Sequence, residues 1–185
     1  MTDPGPLPNR RSIVVSTGSV VPITLAGCLS DIPVGSGKSG SSETARRREV
    51  VTTYDEALVA RNDATTTRDE GVTAFNDRNY TEAIDPLETA LSGYEDAEDG
   101  FAEAAGLAAE IDEESAADIC ETAVDETAIQ ADATSAALSA ARAARNDADA
   151  ETINGHIETF RSFREDAEAI TVADADAVAS ALGLD

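Results

Sequence analysis

Four rows of apolar residues recur along this chain at a spacing of three and four, and no other feature limits its fold so tightly. The first holds Val51, Tyr54, Leu58, Thr65, Val72 and Phe75, with Arg61 and Arg68 completing the row. The second runs Ile84, Leu87, Leu91, Tyr94, Ala97, Phe101, Ala104, Ala108 and Ile111 without a charged interruption. A third holds Cys120, Val124, Thr127, Ala131, Thr134, Leu138 and Ala141, and a fourth Ile153, Ile157, Phe160, Phe163, Ala167 and Ile170. This is the period of one face of an α-helix, repeated four times.

The breaks between rows carry turn residues. Asn76-Asp77-Arg78-Asn79 separates the first two rows and Asn146-Asp147-Ala148-Asp149 the last two. Between the second and third the only signal is Asp112-Glu113-Glu114-Ser115, where Asp112 or Ser115 would cap a new helix. A fifth, short helix is expected from Thr171, with Asp174 three residues on as in a capping box. Pro86 either kinks the second helix or starts it, with Asp85 as cap.

Short connections make long neighbouring helices antiparallel. The expected fold class is therefore all-α: an elongated antiparallel bundle of about four long helices plus a short C-terminal helix. The many alanines let helices approach closely but bury little area each, so stability should be modest.

Composition supplies the rival reading. Leu, Ile, Val and Phe make up 28 of the 158 residues after Gly27, just below the level that marks disordered chains. The four rows decide for a folded protein. The 13 Lys and Arg against 37 Asp and Glu leave a net charge of −24, which argues against a nucleic-acid backbone as partner. Such a surface repels itself in dilute buffer, whereas in molar salt the screening length falls to about 3 Å. The balance resembles that of proteins from salt-loving archaea.

The first residues read differently. Arg10 and Arg11 precede residues 12–27, which carry no charge, and Leu25-Ala26-Gly27 leads into Cys28. A positive start, an apolar stretch and small residues at the cut make an export signal. The stretch holds Pro22 and several Ser, Thr and Gly, which favours a cleaved signal over the alternative of an uncleaved anchor helix.

The pairing resembles a twin-arginine signal joined to a lipobox, as in bacterial and haloarchaeal surface lipoproteins. That resemblance implies that Cys28 becomes the first mature residue and carries a lipid that holds the chain at the membrane. It implies an extracytoplasmic, cell-surface location. The domain plan is then a signal peptide at 1–27, a lipidated Ser/Gly-rich tether at 28–42 and an acidic helical domain at 43–185. Arg46-Arg47-Arg48 follows the tether, either to meet anionic headgroups or as a solvated helix start, the reading favoured in molar salt.

Within GVTAFNDRNYTEAIDPLETAL, the residues Gly71, Ala74-Phe75, Tyr80, Ala83-Ile84, Leu87, Ala90 and Leu91 stand at the spacings of one tetratricopeptide helix pair. The stretch, about 67–95, resembles that repeat, and the resemblance implies a helical hairpin with Pro86 inside its second helix. The family's role in protein docking is carried over as an expectation only, because no second copy follows.

Residues that could carry chemistry are few. His156 is the only histidine and no Glu precedes it by three, so no Glu-x-x-His metal element forms. Cys120 lies on the apolar third row beside Asp118 and Glu121, which suits a buried thiol and not a reactive one. The SGKS at 36–39 lacks the Gly a phosphate loop needs at position 32 and reads as tether. The carboxylates follow helix faces without the alternation of a calcium loop. No metal, cofactor or catalytic set is assigned, and the chain is expected not to be an enzyme.

Two features stay open. Asn79-Tyr80-Thr81 is the only N-glycosylation sequon and falls at a hairpin turn. Arg61, Thr65 and Arg68 form a polar patch that either pairs with carboxylates across the bundle or binds an anionic group of a partner. Against both stands a helix turned so that Ala57, Ala60 and Ala64 face inward and the arginines reach water, which we favour on sequence. The expected function is an interaction or scaffolding module with a protein partner. The alternatives are a self-associating envelope spacer and an accessory solute-binding lipoprotein of a transporter, which an apolar cavity between helices would favour.

Overall fold

The computed structural model describes residues 39–184. These form α1 (Ser39–Asn76), α2 (Tyr80–Glu110), α3 (Glu114–Arg145), α4 (Ala150–Glu168) and α5 (Ala175–Ala181). The expected architecture of four long helices and a short last one is what the chain adopts. At 1.5 Å per residue the 38-residue α1 is about 57 Å long. The helix begins at Ser39, so Ser39–Ser42, assigned to the tether on composition, are its first residues. Once a helix has nucleated, each added residue gains a backbone bond, which offsets the weak propensity of Ser and Gly.

α1, α2 and α3 form a meander joined by three-residue turns, and each turn follows one scheme. Asn79 N–H donates to Ala74 O and Arg78 N–H to Phe75 O, with Arg78 left-handed at φ 64°. Glu113 to Ala108 and Asp112 to Ala109 repeat the pair at the second turn, with Asp112 at φ 58°. Ala148 to Ala143 and Asp147 to Ala144 repeat it after α3, with Asp147 at φ 55°. These are Schellman endings, in which glycine is the usual left-handed residue. Here only α5 uses one, Gly183 at φ 65°.

The expected caps are corrected accordingly. Neither Asp112 nor Ser115 caps α3: Asp112 is the left-handed residue, and the cap position is Glu113, without a side-chain bond. The last helix starts at Ala175 and not at Thr171, with Asp174 itself as cap accepting from Ala177 N–H at 2.9 Å. Asp149 caps α4 through Thr152 N–H at 2.8 Å. Pro86 lies inside α2, the reading the tetratricopeptide spacing implied. That helix pair, however, is far longer than a repeat of about 34 residues could supply.

α1 meets α2 along small residues seven apart. Cβ of Ala57 faces Gly100, that of Ala64 faces Gly93, and Gly71 faces Leu87. A Cβ built on Gly71 would stand 2.7 Å from Leu87 Cγ and 3.1 Å from Ala83 O. Glycine there sets the helix separation.

The buried face of α1 is thus Val50, Tyr54, Ala57, Ala64 and Arg68, with Arg61 beside them. The rotated helix favoured on sequence placed Ala57 and Ala64 inward, as found, together with Ala60, which is only half-buried. It turned the arginines outward wrongly, because they lie toward α3 and not toward solvent.

The core has two apolar parts. One gathers Val50, Tyr54, Phe101, Cys120, Val178 and Leu182, where α5 lies across α1 and α3. Tyr54 and Phe101 rings stand 5.0 Å apart, and Tyr54 Oη donates to Ala173 O at 2.8 Å. The other gathers Ile84, Leu87, Leu138 and Ala141, with Val72, Phe75 and Phe160 packed against it. α4 rests on α3 and makes no comparable packing with α1.

Candidate functional site

Between the two apolar parts lies a layer of polar side chains. Arg61 reaches from α1 to α3 and holds both carboxylate oxygens of Glu126, Nε at 2.6 Å and the terminal nitrogen at 2.5 Å. Glu126 is 1 % exposed. Its Oε1 also accepts from Gln130 Nε2 at 2.8 Å, one turn along α3. Gln130 Oε1 in turn accepts from Arg68 at 2.5 Å, and Arg68 donates outward to Asp69. Thr65 and Tyr94 hydroxyls lie 2.8 Å apart beside this chain, with the Arg68 guanidinium 6.0 Å over the Tyr94 ring.

Electrostatics follow from the geometry. The Glu126 hydrogen bond raises the Arg61 pKa above its usual value, against the desolvation that opposes it. Burial pushes the Tyr94 phenol up, partly offset by Thr65 and the two arginines. Glu126 thus has its counterpart charge inside the bundle, Arg68 bonds a neutral amide there and the exposed Asp69 outside, and one hydroxyl, Thr127 Oγ1, has no partner among the described residues. Arg61 makes the expected pairing with a carboxylate across the bundle, whereas Arg68 reaches across it to the amide of Gln130 and finds its carboxylate, Asp69, on its own helix. Arg68 is 4 % exposed and is not at hand for a partner. Sequence reading missed Glu126 and Gln130. Their one signal was a spacing of four on the α3 face opposite the first row's arginines.

The second feature is a groove of about 390 Å³ between α1 and α4. Toward one end of the bundle α5 fills the space between α1 and α3. Beyond it α4 stands away from α1 and the space stays open. Val72 and Phe75 form one wall, Ile157 and Phe160 the other, and Ala137 and Ala140 of α3 the floor. Of the fourth apolar row only Ala167 is fully buried. At the rim Arg164 pairs with Glu168 at 2.8 Å and lies 5.8 Å over the Phe160 ring. Arg161 and Glu165, on the same rim, have no ion pair among the described residues.

The remaining candidates are dispersed. Asn79 stands exposed at the tip of the α1–α2 turn and its side chain makes no cap bond, and Thr81 is exposed beside it. His156 is half-exposed on α4, apart from the polar layer. Cys120 is fully buried in the first core, and burial pushes its thiol up to about 11. In the arginine run, Arg47 pairs with Glu43 at 2.9 Å and Glu113 at 2.7 Å, while Arg46 and Arg48 are exposed.

Among the described residues no three His, Cys, Asp or Glu side chains converge as a metal set, and no helix is long and apolar enough to cross a membrane. Arg10, Arg11, Leu25, Ala26, Gly27 and Cys28 lie outside the described residues. Comparison with known proteins finds no matching family, no similar curated protein and no similar solved structure.

Proposed function

We propose that the chain is a surface-anchored lipoprotein, held at the membrane through Cys28, whose helical part serves as a protein-docking or scaffolding module and not as an enzyme. The observation that carries the anchoring is the order of Arg10-Arg11, an uncharged stretch and Leu25-Ala26-Gly27-Cys28. What supports a scaffold is how the buried charges are used. Arg61, Arg68, Glu126 and Gln130 bond one another across α1 and α3, an arrangement suited to fixing helix register. The acidic exterior suits a chain that exports folded and works in concentrated salt.

Crosslinking on intact cells at native salt, read by mass spectrometry of whatever joins residues 43–185, tests the docking reading. One abundant surface or membrane partner supports it, and crosslinks confined to the chain itself favour the self-associating spacer. Cys28→Ser tests the anchor separately. Release of the variant from the membrane fraction is expected, and unchanged fractionation overturns the lipid attachment. Asn79 is proposed as a glycan site on the same premise. The intact mass of the protein from its own cells should fall equally in Asn79→Gln and Thr81→Ala, and an unmodified wild-type mass removes the site.

A further inference from the structure

We propose that the groove between α1 and α4 binds a small single-chain amphiphile, with its apolar body against Val72, Phe75, Ile157 and Phe160 and its anionic head at Arg161. This stands apart from the anchored-scaffold reading: it concerns the purified protein alone, and its failure leaves that reading untouched.

The groove has the size of small-molecule sites, about 300–1,000 Å³, at about 390 Å³. Its walls and floor are apolar side chains from four helices, Leu87 of α2 included. A polar solute would need convergent donors and acceptors in such a site. Besides the charged residues of the rim, the groove is lined by one polar side chain among the described residues, the exposed Asn76. Half-exposed Val72, Phe75, Ile157 and Phe160 gain most from an apolar chain laid between them.

The rim selects the head group. Arg164 is already satisfied by Glu168 and the Phe160 ring, whereas Arg161 faces the mouth without an ion pair. A carboxylate or sulfate head can take a forked hydrogen bond from it. Glu165 on the same rim opposes any anionic head and a multiply charged one most, so the head that Arg161 accepts is singly charged. In molar salt the repulsion from a −24 chain is screened over a few ångströms, and a contact pair is not.

The test is isothermal titration of the full chain in molar salt with decanoate, decanol and decyltrimethylammonium. Decanoate should bind saturably, one per chain. Arg161→Gln should weaken decanoate about tenfold and leave decanol unchanged. Ile157→Trp, which fills the groove from its half-exposed wall on α4, should abolish both, with helix content and melting retained as the control on folding. No saturable heat from decanoate up to about 1 mM overturns the proposal. So does equal binding of the cationic analogue, or decanoate affinity unaltered in both variants. A dimer in sedimentation that Ile157→Trp abolishes and decanoate does not dissociate also overturns it, because a second copy is then the occupant.

Discussion

Arg61 on α1 and Glu126 on α3 form a two-pronged ion pair at 2.6 and 2.5 Å in a bundle where α1 and α3 otherwise touch little. The Glu126 side chain is 2 % exposed and that of Arg61 19 %. Removing either partner strands the other charge away from water. Arg61→Leu or Glu126→Leu should each lower unfolding free energy by about 3 kcal/mol. The double variant should recover most of that loss, as two apolar side chains can replace a buried pair. Urea titrations followed at the helix circular-dichroism band measure all three, and additive losses would contradict the pairing.

Gly71 and Gly155 both sit within helices, yet their alanine variants should move in opposite directions. At Gly71 the new Cβ meets Leu87 at 2.7 Å, so overpacking should cost about 1–3 kcal/mol. At Gly155 nothing lies within 4 Å, and the gain in helix propensity should be about 1 kcal/mol. The same titration gives both signs.

The left-handed residues at the helix ends offer a graded series. Arg78→Gly should stabilise by about 1 kcal/mol, and Asp112→Gly and Asp147→Gly by less. Short polar side chains tolerate this conformation better than arginine. Melting curves of the three variants would show that order.

Alkaline pH should loosen the first core. Burial raises the Cys120 thiol from 9.0 to about 11 and the Tyr54 phenol from 10.0 to about 12. The folded state thus holds these protons more tightly than the unfolded chain. The stabilisation is complete below about pH 9 and is lost as pH rises through 11 and 12. Thiol labelling of Cys120 should be slow at pH 8 and accelerate only with unfolding, and rapid labelling of the native protein would refute the assignment.

Salt should act in the direction the charge dictates. With −24 on the chain, melting temperature is expected to climb from dilute buffer to molar sodium chloride. A flat response would remove the electrostatic account.

The helical segments and most of their buried faces were legible without coordinates. The second row, from Ile84 to Ala108, is nearly the buried face of α2. α2 is covered by α1 on one side and α3 on the other, so its periodicity has one solution. The first row was harder. Val51, Leu58 and Val72 pulled the inferred face toward the larger apolar side chains. The structure buries Ala57, Ala64 and Gly71, the face of the rotated alternative, since a Cβ on residue 71 would stand 2.7 Å from Leu87 Cγ and its absence lets α1 approach more closely than bulky residues allow.

The turn at 111–113 was weak in sequence for a definite reason. Its left-handed position carries Asp112 in place of glycine, and its cap position Glu113 makes no side-chain bond. The helix stops there because backbone bonds to Ala108 and Ala109 close it, and such bonds leave no compositional mark. Asp149 and Asp174 do leave one: the break at 146–149 falls where α4 begins, whereas the last helix starts four residues after the expected Thr171, just past its cap Asp174.

Sequence alone determined that this chain is a set of amphipathic helices with an acidic exterior, because period and charge are local properties of the order of residues. Only the tertiary structure decided that Arg61 and Arg68 turn inward to Glu126 and Gln130. It alone also left α4 standing off α1 to open a groove. Both depend on which helix faces which across the bundle, and that is fixed by close packing between residues far apart in the chain.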